Sequence, residues 1–164
     1  MREVPALSID GQPLAQSVAI LEYLEETCPE PALLPTDPLS RARVRQMTEI
    51  INSGIQPVQN LRVMQRLGND FSLDKDQQHA WSRGWIDFGF QALDMLIGEH
   101  GGGYAFGDQV SFADLCLVPQ LYNARRFNVD LSPYSRLVEI ETRLNELPAF
   151  ANAHPSRQPD AVEG

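Results

Sequence analysis

The stretch "CPEPALLPTDP", residues 28 to 38, places four prolines within eleven residues. A proline has no N–H to give to a helix and its ring clashes with the preceding turn, so no helix runs through this stretch. An extended connector is the conformation left to it. This divides the chain into residues 1–27, a proline-rich linker at 28–37 and residues 38–164.

In the first segment, "VPALSIDGQPLA" reads as two very short strands joined by Asp10-Gly11, the dipeptide best suited to a tight hairpin turn. The hairpin leads into "LAQSVAILEYLEE", a helix with apolar residues at Val18, Leu21, Tyr23 and Leu24. Ser17 is a preferred N-cap type, and its first reading is as the cap of its own helix. The second reading is that the free N–H groups of the first turn, with the positive end of the helix dipole, receive a carboxylate or phosphate.

The long segment reads as helices. Asp37-Pro38 has the form of an N-cap followed by proline in the first turn. Apolar residues then recur at Met47, Ile50, Ile51, Val58, Leu61 and Met64, which predicts one helix from about residue 38 to 67 with a kink at Pro57. Gln56, Gln59 and Asn60 crowd amides onto a short arc, expected to be the wet outer face of the bend. A helix from about 74 to 98 carries Trp81, Trp85, Phe88, Ala92, Met95 and Leu96 as an expected packing stripe. The run "GEHGGGY" ends it and reads as a turn, because no strand precedes the glycines and no Lys-Ser or Lys-Thr pair follows them.

Ser111 and Asp114 have the spacing of a capping box, with Val110 and Leu115 placed as a hydrophobic staple. The helix that follows is apolar on nearly every side, so Cys116 reads as a small buried hydrophobe. Arg125-Arg126 closes that helix, where cations suit the dipole and where an acidic chain would keep a receptor for a carboxylate. Ser132-Pro133 is expected to start the next helix, with Leu137, Ile140, Leu144 and Leu147 buried. Pro148 and Pro155 bracket a last short turn, and "SRQPDAVEG" is expected to fray.

Composition excludes several function classes. Thirteen Lys and Arg against 22 Asp and Glu give a formal charge of −9. That charge repels nucleic acid and anionic membranes, so neither is an expected partner. No apolar run approaches the roughly 20 residues of a bilayer span, and "MREVPALS" lacks a signal-peptide pattern, so the cytoplasm is the default compartment. Cys28 and Cys116 form no disulfide framework. With His79, His100 and His154 scattered, no metal site is expected.

Taken together, "VPALSIDGQPLAQSVAILEYLEE", "LLPTDP", "GIQPVQNL" and "DQVSFADLCLVPQLYNARRFNVDL" resemble the zeta class of glutathione transferases, the family that includes maleylacetoacetate isomerase. The resemblance covers nearly the whole chain in order, and "ADLCLVPQ" with "GIQPVQNL" is specific to the class. It implies a mostly α fold: a partial thioredoxin-like β-β-α piece (residues 1–27), then the all-α C-terminal helical bundle of a glutathione transferase (38–164). It implies glutathione as cofactor. In the family the proline equivalent to Pro5 is cis, the backbone at Val4 pairs with the cysteinyl part of glutathione, and Gln16 and Ser17 hold its γ-glutamyl end. Gln56 and the run Asn60, Leu61, Arg62 line the same cleft, and Arg126 takes a carboxylate of a small dicarboxylate substrate. A homodimer is also implied.

The implied reaction is cis–trans isomerisation of maleylacetoacetate to fumarylacetoacetate in phenylalanine and tyrosine breakdown. The glutathione thiolate adds to the conjugated double bond, the resulting single bond rotates, and elimination restores the trans alkene. The family's Ser-Ser-Cys-x-Trp-Arg type motif, which activates the thiol, has no counterpart here, so no catalytic residue is assigned. The first segment is expected to lack the strand-helix-strand that carries it, leaving the strand of residues 4 to 9 with an unpaired edge and the activity impaired. Two other readings remain: a zeta-class transferase acting on α-haloacids or other small electrophiles, and a non-catalytic dimerising or protein-binding module.

Overall fold

A computed structural model describes residues 4–161 of the chain. Residues 1–3 and 162–164, the latter part of the tail expected to fray, lie outside them. Asp10 and Gly11 take φ of 49° and 80°, the paired positive values of a hairpin turn whose twist matches its strands. Strands β1 (Ala6–Ile9) and β2 (Gln12–Ala15) pair antiparallel, with Ile9 opposite Gln12 and Ala6 opposite Ala15. Helix α1 (Ser17–Thr27) follows at once.

Two carboxylates of α1 tie it to what comes next. Buried Glu25 accepts the backbone N–H of Leu33 at 2.9 Å and of Leu34 at 3.0 Å, which satisfies two donors of the connector. Glu22 takes Nε and Nη2 of Arg45 at 2.6 and 2.8 Å. Arg45 lies in α2 (Pro38–Glu49), which begins as expected with Asp37 accepting from the Ser40 N–H at 2.8 Å.

The single bent helix expected over 38–67 is corrected to four pieces. After α2 comes a π-helical turn over Ile50–Ile55, then α3 (Gln56–Gln59) and α4 (Leu61–Phe71). The distortion begins before Pro57, where the Gln56 N–H bonds the Ile51 carbonyl five residues back. It ends after Pro57 at Asn60, whose extended backbone (φ −71°, ψ 162°) interrupts the helix. The Asn60 side chain then caps α4 by accepting from the Val63 N–H at 3.2 Å. The π turn presses on α5 (Lys75–His100) at Gly89, where a Cβ would overlap the Ile55 side chain.

Helix α5 starts on a capping box, with Asp74 and Gln77 exchanging hydrogen bonds of 2.9 and 3.0 Å. Its buried face differs from the expected stripe. Ile86, Phe90, Leu93 and Ile97 point inward with Gln78 and Ser82, whereas Trp81, Trp85, Phe88 and Met95 are exposed, Phe88 and Met95 at 69% each. The two polar residues are tolerated inside because they find partners, Gln78 at the Leu73 carbonyl (2.8 Å) and Ser82 at Met64 Sδ (3.3 Å). The glycine run forms the expected turn: Gly103 N–H bonds Asp108 and Gly107 N–H bonds the His100 carbonyl.

Helix α6 (Phe112–Arg126) is the centre of the core, with Phe112, Leu117, Leu121 and Ala124 fully buried, and it packs against α2, the π turn and α7. Cys116 is buried among them, and burial pushes its thiol up to about 12. Helix α7 (Ser135–Asn145) begins after the expected Ser132-Pro133, which forms a preceding turn; Leu137, Ile140 and Leu144 are buried as expected and Leu147 is half-buried. Helix α8 (Pro148–Ala153) and a 3₁₀ turn at Pro155–Arg157 complete the described chain. The fold is the mostly α arrangement of a β-β-α piece and a helical bundle.

Candidate functional site

The hairpin brings the first four candidate residues to its open end. The ladder ends at the Ala6–Ala15 pair, with Val4 and Pro5 just before it in the chain and Gln16 and Ser17 just after it, and the Val4–Pro5 peptide is cis. Ser17 is not the N-cap. It is the first helical residue of α1, and the N-cap is Gln16, with φ 79°, ψ 121° and no side-chain cap hydrogen bond. A non-glycine residue in that region is strained, a condition that persists where surrounding structure enforces it and that clusters at binding sites. The first-turn N–H groups of α1 are thus held at a bend with no side-chain cap, in a geometry suited to a carboxylate.

The second group sits on the segment around the Asn60 break. Gln56 opens α3, half-buried, and Asn60, Leu61 and Arg62 turn the corner into α4, with Leu61 and Arg62 exposed. Three contacts hold this segment against the bundle: Ile55 against Gly89, Trp81 Nε1 donating to the Val58 carbonyl at 2.9 Å, and Gln59 Nε2 donating to Gln120 Oε1 at 2.9 Å. The last contact corrects the expected wet arc of amides. Gln59 is 4% exposed and Gln120 of α6 is 0% exposed, so the amide between Gln56 and Asn60 points into the bundle. Gln59 Oε1 and Gln120 Nε2 are left buried without partners, each a deficit of about 1–3 kcal/mol.

The third group is the basic pair closing α6, and the structure divides it. Arg125 is committed to Glu141 of α7 through two hydrogen bonds of 2.7 and 2.5 Å, which hold its guanidinium above its ordinary range. Arg126 is exposed, with one long contact of 3.4 Å to Asn123 Oδ1. Arg125, and not Arg126, lines a cavity of about 730 Å³ between α6, α7 and α8, together with Val118, Tyr122, Phe150 and His154 among others.

Comparison with known proteins settles the family. The chain is 51% identical over 160 residues to maleylacetoacetate isomerase of Rattus norvegicus, covering 98% of this chain and 71% of that one. It superposes with a TM-score of 0.95 and 43% identity on a holo maleyl pyruvate isomerase, described as a bacterial glutathione S-transferase in the zeta class, covering 98% of this chain and 76% of that one. The chain belongs to the zeta class of glutathione transferases. A maleylacetoacetate isomerase from Anaeromyxobacter dehalogenans, with dicarboxyethyl glutathione and citrate bound in its active site, matches at TM-score 0.91 and 46% identity, covering 99% of this chain and 74% of that one. No protein-family model matches the chain. It spans 63% to 71% of the length of curated relatives such as those of Drosophila melanogaster and Rattus norvegicus.

Within this zeta-class chain, sequence reasoning missed Gln59 and Gln120 as a pair. The signal available was polar residues inside otherwise apolar helical stretches, at "PVQN" and "LVPQL". Nothing in either stretch shows that the two, 61 residues apart, meet.

Proposed function

We propose that this zeta-class chain carries the site for glutathione-dependent cis–trans isomerisation of maleylacetoacetate to fumarylacetoacetate. The observation that carries the reading is Gln16. Its strained backbone presents the α1 N-terminus without a side-chain cap, at the Val4–Pro5 end of the hairpin. These residues fit glutathione: the α1 N-terminus with Gln16 and Ser17 receives the γ-glutamyl carboxylate, the backbone of Val4 pairs with the cysteinyl unit, and Gln56 with Asn60, Leu61 and Arg62 borders the tripeptide. Bound glutathione supplies the thiol whose addition makes the conjugated double bond rotatable. Arg126, free of the Glu141 pairing that occupies Arg125, orients a substrate carboxylate. The bound ligand of the Anaeromyxobacter relative, a glutathione bearing a dicarboxylate, has the chemistry this arrangement would accept.

The test is isomerisation of maleylacetoacetate by the chain, with and without glutathione. Glutathione-dependent turnover, however slow, supports the reading, and turnover indifferent to glutathione, or no binding of glutathione in a calorimetric titration, overturns it. Arg126→Ala should raise KM for the dicarboxylate more than for a neutral electrophile. Equal effects on both remove Arg126 from the site.

The exposed stripe of Trp81, Trp85, Phe88 and Met95 supports a homodimer formed through α5, since contiguous apolar surface of this kind marks an interface. A cytoplasmic location accords with two free cysteines and, among the described residues, no helix long and apolar enough to cross a membrane.

A further inference from the structure

Gln59 and Gln120 are buried, face each other, and share one hydrogen bond where two amides can make two. The remaining carbonyl oxygen of Gln59 and amide nitrogen of Gln120 have no partner. A pair chosen for stability alone would be apolar at this place, because replacing both partners of a buried polar pair by apolar groups of the same shape removes the unpaired atoms with it. What the pair does have is position. Gln59 is the last residue of α3, directly before the extended Asn60, and Gln120 lies on α6 six residues before Arg126.

We propose that the Gln59–Gln120 amide pair is a positioning clamp, which sets the Asn60 corner against α6 at the spacing glutathione and its acidic partner need. This rests on the glutathione reading given above. A directional hydrogen bond fixes both the depth and the rotation of the corner, whereas apolar packing in the same volume would fix depth alone. Neither amide touches ligand in this scheme. They act through Asn60, whose backbone carbonyl and side chain receive Met64 N–H (3.1 Å) and Val63 N–H (3.2 Å).

The experiment compares the full chain with Gln59→Met, Gln120→Met and the double variant. Methionine keeps the unbranched shape of glutamine without its polar atoms. Three readouts are taken: melting temperature, amide hydrogen exchange at Val63 and Met64, and calorimetric titration with glutathione. Each single variant strands the polar atoms of the partner and melts lower than wild type. The double variant should melt at or above wild type, yet exchange faster at Val63 and Met64 and bind glutathione roughly tenfold more weakly.

A melting temperature for the double variant as low as those of the singles marks the pair as structural and overturns the clamp. Unchanged exchange together with unchanged glutathione affinity does the same. A double leucine variant repeats the comparison if the methionine variant fails to fold. Should wild type bind no glutathione, the functional reading falls, while the exchange rates at Val63 and Met64 still decide the clamp.

Discussion

Replacing Asp114 by alanine should cost more stability than its one small side chain suggests. The carboxylate has 0% exposure and accepts three hydrogen bonds: Ala105 N–H at 2.9 Å, Ser111 N–H at 2.8 Å and the Ser111 hydroxyl at 2.8 Å. Burial raises its carboxyl above the ordinary range, and the donors pull it back. Alanine leaves two backbone N–H groups stranded, one on buried Ala105 and one on buried Ser111. At about 1–3 kcal/mol for each of the two orphaned groups, the loss is roughly 2–6 kcal/mol. For a chain of this size about 3 °C accompanies each kcal/mol, so Tm falls by roughly 6–18 °C. Ser111→Ala keeps both N–H bonds and should cost only about 1 kcal/mol. Asp114→Asn, which keeps one acceptor oxygen, should fall between them. Equilibrium urea unfolding followed by circular dichroism gives all three values. If Asp114→Ala costs no more than Ser111→Ala, the carboxylate is not satisfying those donors and the reasoning fails.

Three further outcomes are expected. Glu22 is held below the usual carboxylate range, mainly by its hydrogen bonds from Arg45. Its contribution is therefore present above the ordinary value of 4.5 and lost as pH falls through the lowered folded value; because the pair is partly exposed it is about 1 kcal/mol or less. Glu22→Gln should flatten that acid limb, and an unchanged pH profile rejects the tie. With Cys28 exposed and Cys116 buried at about 12, a thiol reagent should titrate one cysteine in the native chain and the second only on unfolding; two fast thiols would contradict the packing of α6. Gln16→Gly relieves the strain at φ 79° and should raise stability by about 1 kcal/mol while weakening glutathione binding. Tighter binding by that variant would remove Gln16 from the site.

Features governed by nearby residues were legible in the sequence. The Asp10-Gly11 turn, the Asp37-Pro38 helix start and the Ser111/Asp114 motif each depend on backbone groups within a few positions, and the structure has all three. Features governed by tertiary contacts were not. The α5 aromatic stripe and its true buried face are both rich in apolar side chains, and hydrophobic spacing alone does not choose between them. The π turn depends on the room Gly89 leaves for Ile55, across 34 positions by residue number (89 less 55). Ser17 has the right residue type for a cap, but the hairpin delivers the chain to α1 through a strained Gln16 instead. The residues of the candidate site come from the family resemblance alone, while the commitment of Arg125 to Glu141 and the burial of Gln59 required the fold.

Helix α6 holds two buried polar groups that follow opposite rules. Asp114, at its start, faces three donors and uses them, so it locks the first turn to the loop at Ala105 and fixes the register of all that follows. Gln120 is equally buried, has one partner and leaves a donor unused. If burial of polarity served only folding, both would be satisfied, since the deficit at Gln120 costs stability that an apolar residue would not. Gln16 repeats the pattern in a different form, as a strained backbone where glycine would sit without strain. These two departures flank the corner at Asn60 and the entry to α1, the two places to which the family resemblance assigns glutathione, while a third buried atom without a partner, Asp94 Oδ1, lies on α5. At those two places the fold carries a cost that an apolar pair or a glycine would not.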